Sequence, residues 1–472
     1  MTSPSQDQPA ALRPGTGIAL SIALAALVLL LPRPEGLSPE GQRLGALFAL
    51  AIGLWVTEAL PVGVTALLVL VLQPLGRVAD MGTAFQGFAS PVFFFVLAML
   101  FLAQAVIGAG LDRRFAFWLL DRAGSDSRRV VIALIVGSSA VSTIMSDVPA
   151  CAIFMTIGLG VLTRAGAEPG TSRFGKAVMV GIPIGSLIGG VATPAGSSIN
   201  VLGMHFLEEH GGVTVSFLEW TAIGVPMALV LTPLACWVVL RFFPPELERV
   251  PGHDQIAAER AQLGPLTLPE KKAIALVSTM LVLWVAGNWV PQLNVVMVAL
   301  IGSIAMFLPG VDLLRWRELQ PRLAWDVLLL IGGVTSIAAA SVETGLAEWL
   351  VTGVLGGMQA WSPVAAVAAI SAFTVLVHLV VPIGPVINAL LIPPIVLLAR
   401  EAGVNPAVYA LPVAFSASAS FLLPIDPVPL LTYSKGYYRM LDMLVPGLVL
   451  GALWVVWLTV LVVGLAPRLG LG

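Results

Sequence analysis

Apolar residues in this chain come in long unbroken runs, without the short alternation of a soluble strand or the one-sided stripe of a soluble helix. Runs of this kind predict membrane-spanning helices. They fall at about residues 17–31, 44–60, 62–75, 91–110, 130–162, 177–206 and 221–243. A charged linker at about 244–272 follows, and then a second series at about 273–290, 295–308, 325–341, 364–398, a run broken near 423–429, and 444–465.

Four of these runs are interrupted by polar or helix-breaking residues. Ser146-Asp147-Val148-Pro149 divides the fifth, and Gly189-Gly190-Val191-Ala192-Thr193-Pro194-Ala195-Gly196-Ser197-Ser198-Ile199-Asn200 divides the sixth. Ile383-Gly384-Pro385-Val386 and Leu423-Pro424-Ile425-Asp426-Pro427-Val428-Pro429 are their counterparts in the second series. Irregular backbone and an acid are costly in hydrocarbon, and both are tolerated where they face protein or a water-filled cavity. Asp147 is therefore expected at a site; an ordinary loop position or a structural pairing with a buried donor is the plainer alternative. Matching landmarks recur at similar offsets: Gly110 and Gly345 are 235 residues apart, Ser146 and Gly384 238, and Thr193 and Asp426 233. Broken segments at corresponding places in two halves predict inverted repeats around a midplane binding site.

Loop charge gives orientation. Arg113, Arg114, Arg122, Arg128 and Arg129 before the fifth run, and Arg164, Arg173 and Lys176 after it, place both its flanks on the cytoplasmic side, so the segment enters and returns. Glu208, Glu209 and Glu219, without nearby Lys or Arg, suit the outside. Residues 1–16 read as a disordered cytoplasmic tail, and the basic residues Lys435 and Arg439 put the C-terminus outside after one last helix.

Composition narrows the class. With 58% hydrophobic residues, 11% charged residues and a mean hydropathy of +0.97, the chain is an all-α polytopic membrane protein. We expect about eleven transmembrane helices, two re-entrant hairpins and two broken helices. A formal net charge of -2 argues against a nucleic-acid binder, which would show a basic face. Cys151 and Cys236 lie in apolar runs and suggest neither a disulfide framework nor a metal centre. His378 is expected as a packed core histidine, and Trp289 and Trp361 as interfacial anchors.

Over residues 43–447 the chain resembles the divalent anion/sodium symporters, which carry dicarboxylates, citrate or sulfate. The resemblance rests on Trp55-Val56-Thr57-Glu58-Ala59-Leu60-Pro61, Gly110-Leu111-Asp112-Arg113-Arg114, the Thr193 to Asn200 break, Phe421-Leu422-Leu423-Pro424 and Tyr437-Tyr438-Arg439-Met440-Leu441-Asp442. It implies a homodimer whose transport domain moves against a static scaffold. On that pattern residues 17–128 and 272–360 form the scaffold, 129–243 and 361–472 the transport part, and 244–271 a cytoplasmic linker.

The resemblance also implies a Ser-Asn-Thr triplet at each hairpin tip, binding substrate carboxylate and sodium. Here the first triplet is Ser146-Asp147-Val148 and the second Gly384-Pro385-Val386. Carried over by position, Ser146, Asp147, Gly196 and Asn200 match the first sodium site, with Ala192 in place of a hydroxyl residue. Ser146, Asp147, Val148, Thr193, Ser197, Ser198, Gly384, Pro385, Val386 and Asp426 are the candidate substrate residues. Pro385 has no N–H to donate, which degrades the second cation site, and Asp426 compensates if symmetry brings it opposite Asp147. The two acids then either bind sodium or carry protons; Asp426 as a surface acid paired with Lys435 is the plainer alternative. The function expected is transport of a small anion coupled to sodium, with proton coupling or anion exchange on the same fold as alternatives. No enzymatic activity is expected: an intramembrane aspartyl protease would place its two acids in different motifs from Met145-Ser146-Asp147 and Pro424-Ile425-Asp426.

Overall fold

The computed structural model describes residues 14–251, 253–354, 357 and 361–471. Most of the expected tail, residues 1–13, lies outside the described residues. In chain order the helices begin with α1 (Pro14–Leu30), α2 (Pro39–Thr57), α3 (Val62–Leu75), α4 (Met81–Gln86), α5 (Pro91–Ala109) and α6 (Leu111–Ala123). They continue with α7 (Ser127–Met145), α8 (Asp147–Arg164), α9 (Arg173–Gly190), α10 (Ser198–Gly211), α11 (Phe217–Phe242) and α12 (His253–Gln262). Then come α13 (Leu268–Ala286), α14 (Val295–Ala305), α15 (Trp316–Leu319), α16 (Trp325–Glu343) and α17 (Leu346–Val354). The last five are α18 (Pro363–Val377), α19 (Gly384–Glu401), α20 (Pro406–Ser416), α21 (Pro427–Tyr433) and α22 (Leu444–Leu465). Among the described residues, seven stretches are helical, long and apolar enough to cross a membrane.

The chain forms two compact units, residues 1–93 with 324–356, and residues 94–323 with 357–472. In the first, the joint expected at Pro61 is sharp because Glu58 closes α2 in a left-handed conformation, its N–H bonded to the Trp55 carbonyl. Buried polar side chains join α16 to its neighbours: Gln73 Nε2 donates to Ser336 Oγ at 2.7 Å, and Ser336 Oγ donates to the Ala84 carbonyl at 2.6 Å.

The second unit holds both hairpins and both broken helices. α7 has 19 residues and α8 has 18, or about 27–28 Å each at the helical rise. Each arm is long enough to cross on its own, so the re-entry of this hairpin rests on the loop charges and not on helix length. α7 lies close against α9 because Gly181, Gly185 and Gly189, spaced four residues apart, present no side chain to it. A Cβ at Gly185 would meet the Ile135 carbonyl, and one at Gly189 the Ser139 carbonyl. Ser138 Oγ bonds across this seam to the Ile182 carbonyl at 3.0 Å, and Ser139 Oγ bonds to Thr232 Oγ1 of α11 at 3.0 Å.

Two stretches expected as loops are partly helical. Residues 112–129 contain α6, whose buried face carries Ala116, Phe117 and Leu120, and the 244–272 linker contains α12. Helix 3.6-residue spacing of a few apolar residues is easily hidden among arginines, which is why the charge there dominated the sequence pattern. Arg114 fastens this region, with Nε 2.6 Å and Nη2 3.0 Å from the Glu270 carboxylate and further bonds to the Leu263, Gly264 and Pro265 carbonyls. α12 also pairs through Glu259 with Arg164 and through Arg260 with Asp121.

Two outcomes follow from this packing. Gly185→Ala should lower the melting temperature of the purified protein by the equivalent of about 1–3 kcal/mol, whereas Gly160→Ala, where a Cβ meets nothing within 4 Å, should not lower it. The Arg114 guanidinium, which bonds the Glu270 carboxylate, holds that carboxyl below the usual range, with the Thr267 N–H assisting against the effect of burial. A depressed folded value means the pair stabilises fully above the unfolded value of about 4.3 and is lost as pH falls through the lower folded value. Glu270→Gln should therefore melt lower than wild type near neutrality, and the gap should close in melting scans below about pH 4.

Candidate functional site

The first hairpin tip is a reversal of a single residue. Ser146 stands between α7 and α8 with φ 78°, a left-handed conformation that costs a non-glycine residue strain and persists only where its surroundings impose it. Asp147 opens α8 and is 5% exposed. Its Oδ1 accepts from the Val148 N–H at 2.9 Å and from Ser146 Oγ at 3.1 Å, and its Oδ2 accepts from Ser197 Oγ at 3.2 Å. The buried-donor pairing considered as an alternative is thus present, but all three donors are neutral.

The partner of the tip is the α9–α10 break. Asn200 Nδ2 donates to the carbonyls of Gly190 at 2.7 Å and Thr193 at 2.8 Å, and Trp220 Nε1 donates to the Val191 carbonyl at 2.9 Å. These bonds satisfy carbonyls that the end of α9 leaves without helical partners. Thr193 Oγ1 reaches across to the Thr143 carbonyl at 2.6 Å, joining break to tip. A Cβ built on Gly190 would lie 3.3 Å from the Gly196 carbonyl oxygen and 3.4 Å from both Asp147 Cβ and Ser142 Oγ. Ser146, Asp147, Ser142, Gly196 and the glycine end of α9 therefore converge on one small volume.

The second half of the unit is built differently. Gly384, Pro385 and Val386 are all buried, and Gly384 sits against the Ala417 carbonyl and the Ile199 side chain. No side-chain oxygen stands at that tip. Asn388, one turn into α19, donates from Nδ2 to the Ile199 carbonyl at 2.8 Å and so ties the second hairpin to the start of α10. Asp426 is 4% exposed and caps α21, accepting from the Val428 N–H at 3.0 Å. Asp426 makes no ion pair with Lys435, which corrects the reading of it as a paired surface acid: its carboxylate is turned inward by the cap, while Lys435 is exposed. Asp426 caps α21, which packs against α8, the helix that Asp147 opens. Cys151 Sγ is 3.4 Å from the Val428 carbonyl oxygen.

Among the described residues no Lys, Arg or His forms an ion pair with either acid. Instead, Ser142 Oγ, Ser186 Oγ, Asn200 Oδ1, Asn388 Oδ1, Ser418 Oγ and Ser420 Oγ are buried without a hydrogen-bond partner. Buried polar atoms are rarely left unpaired. Of these, Ser142 Oγ lies with Asp147 and the Gly196 carbonyl around Gly190, and Asn200 is bonded to the same break, a donor set that suits a hard cation.

Of the residues singled out in the sequence, Ser146, Asp147, Thr193, Gly196, Ser197 and Asn200 are brought together. Val148 is 37% exposed and Ser198 half-buried at the first turn of α10, whereas Gly384, Pro385 and Val386 lie inside packing. His378 is a packed histidine, its two ring nitrogens each 3.2 Å from a carbonyl oxygen, of Thr374 and of Ala417. Both cysteines are free and buried. Ser142, Ser186, Asn388, Ser418 and Ser420 were not anticipated; the available signal was a polar residue inside an apolar run within about two turns of a break.

A hairpin tip and a broken helix meeting at a polar volume, with seven membrane-length apolar helical stretches among the described residues, are the pattern of a polytopic membrane protein of the transporter class. The fold agrees with solved transporters: YdaH of Alcanivorax borkumensis, with a TM-score of 0.53 and 16% identity over 80% of this chain and 86% of that one. MtrF of Neisseria gonorrhoeae gives 0.52 and 14% identity over 95% and 94%. The model of the family described as sodium:sulfate symporter transmembrane region matches residues 16–467, and the chain belongs to that family. Among its relatives, a sodium-dependent dicarboxylate transporter, SdcS, of Staphylococcus saprophyticus is 28% identical over 88% of this chain and 83% of its own length. A protein of Cupriavidus necator described as a membrane protein is 27% identical over 87% and 84%.

The orphan hydroxyl of Ser142 gives a direct check on the cation set. Sodium, compared with potassium at equal ionic strength, should raise the melting temperature of wild type. In Ser142→Ala the sodium concentration needed for that rise should increase several-fold, with the melting temperature in sodium-free buffer unchanged because no protein bond is lost.

Proposed function

We propose that the chain is a secondary active transporter that imports a small anion, such as a dicarboxylate or sulfate, together with sodium. The observation that supports this most is Asp147, buried without a cationic partner beside the Gly196 carbonyl and orphan oxygens. In this reading sodium binds among Ser146, Asp147, Gly196 and Asn200, with Ser142 added by the geometry. The family description and the name of the Staphylococcus relative point the same way.

Bound sodium offsets the charge of Asp147, and the anion then meets the hydroxyls of Ser146, Thr193, Ser197 and Ser198 and the N-terminal end of α8. The second tip, Gly384 to Val386, closes the site by shape, and Asp426 flanks it. Alternating access is elevator-type: residues 129–243 and 361–472 move, residues 17–128 and 272–360 stay as scaffold, and 244–271 links the halves. The inverted repeats comprise about eleven transmembrane helices with two re-entrant hairpins and two broken helices. The assembly is a homodimer in a bacterial plasma membrane, N-terminus cytoplasmic and C-terminus outside. A proton-coupled carrier or anion exchanger on the same fold is the second reading, favoured by the second buried acid.

The test is uptake of radiolabelled succinate and sulfate into proteoliposomes with and without an inward sodium gradient. Wild type should accumulate at least one of them only with the gradient, and Asp147→Asn should lose about tenfold or more of that uptake. Sodium-independent uptake driven by a counter-anion would move the assignment to exchange; transport of neither anion would remove the substrate class.

A further inference from the structure

Asp112, in the first turn of α6, is 7% exposed, and its Oδ1 has no hydrogen-bond partner. Buried polar atoms are rarely left in that state. Asp112 lines two cavities of the second unit, both within the size range of small-molecule sites. The first, of about 430 Å³, lies between α6, the later part of α8 and α12, and is bordered by Arg113, Arg164 and Glu259 as well as by Phe117, Ile157 and Val161. The second, of about 360 Å³, lies between α7, α13 and the junction of α5 with α6. Apart from Asp112 and Ser278 its lining residues are apolar, Val141, Ile144 and Leu281 among them.

Charge around the first cavity is only partly paired. Arg164 and Glu259 bond each other. Asp112 and Arg113 form no ion pair, with one another or with any other side chain among the described residues. The Arg113 guanidinium instead lies 5.6 Å from the centre of the Phe117 ring. One uncommitted cation beside one uncommitted anion complements a zwitterion. A guanidinium suits a phosphate group, and a carboxylate oxygen without a partner needs an N–H donor, which a primary ammonium has and a quaternary ammonium lacks.

The apolar second cavity adds the other half of the ligand, since hydrocarbon is the group it would withdraw from water. The surroundings suit an amphiphile too. α8 is long and apolar enough to cross a membrane and carries Arg164 in its last turn. On α6 the Arg122 guanidinium lies 4.5 Å over the ring of Trp118, a residue type enriched at the membrane–water interface.

We infer that Asp112, Arg113 and the two cavities form a binding site for one phospholipid whose headgroup carries a phosphate and a primary ammonium. The phosphate pairs with Arg113, the ammonium with Asp112, and an acyl chain occupies the second cavity, against Ile144 and Met145 in the last turn of α7. No covalent bond forms or breaks. An anionic headgroup would face Asp112 with like charge, and a choline headgroup would leave its oxygen without a donor. The site stands apart from the residues of the proposed transport reaction and does not depend on that reading.

The experiment is native mass spectrometry of the full chain in detergent, with phosphatidylethanolamine, phosphatidylcholine and phosphatidylglycerol of identical acyl chains supplied in equal amounts. Wild type should retain one phosphatidylethanolamine several-fold more than either competitor. Asp112→Ala should retain phosphatidylethanolamine and phosphatidylcholine equally. Arg113→Gln, a change at an exposed side chain, should lose several-fold of both. Ala140→Trp, which fills the second cavity from an exposed position, should weaken all three lipids without changing their order. Glycerophosphoethanolamine, the same headgroup without chains, should not displace the bound lipid at equal concentration; displacement by it would make this a site for a soluble phosphate ester and overturn the lipid assignment. Equal retention of the three lipids by wild type, preference for phosphatidylglycerol, or a phosphatidylethanolamine preference that survives in Asp112→Ala would also overturn it. Should Asp112→Ala fail to fold, wild-type retention in Arg113→Gln gives the same negative answer.

Discussion

The structure of the second unit depends on one constraint: backbone polar groups exposed by a break in a helix at membrane depth must find partners inside the protein. The chain meets it with side-chain amides and hydroxyls. Asn200 takes two carbonyls of the α9–α10 break, Trp220 a third, Thr193 ties that break to the hairpin, and Asn388 holds the second hairpin against α10. Each of these side chains orders two segments at once, so removing one loosens the site and the scaffold around it together.

Close packing is what allows those short bonds to form. The glycine seam of α9 lets α7 approach until backbone carbonyls limit the distance. The Ser146 reversal is then held near Ser197 and the end of α9, with its strain sustained by the packed arms on either side. Function and stability share residues here, as expected when a polar volume is carved out of an apolar bundle.

The two acids divide the unit chemically. Asp147 belongs to a polar, partly accessible first half, and Asp426 to a second half whose tip is apolar and buried. An inverted repeat would by itself give two equivalent ion sites. Replacement of hydroxyls by Gly384, Pro385 and Val386 removes that equivalence at the tips, while Asn388, Ser418 and Ser420 leave unpartnered oxygens in the second half.

Most of the helical plan was legible in the sequence, because apolar length and Gly or Pro interruption are local signals: α3 and α22 fall on the expected residues, and the joint at Pro61 and the breaks at Ser146 and Thr193 fall where the polar residues stand. The arginine-rich stretch hid α6, since a short amphipathic helix carries little apolar weight. Pairing of Asp147 with Ser197, the inward turn of Asp426 away from Lys435, and the orphan oxygens of Ser142 and Asn388 were decided only by tertiary structure. Chain composition fixes which polar groups are present in an apolar chain; whether each is satisfied, and by what, depends on which segments the fold brings within hydrogen-bond distance.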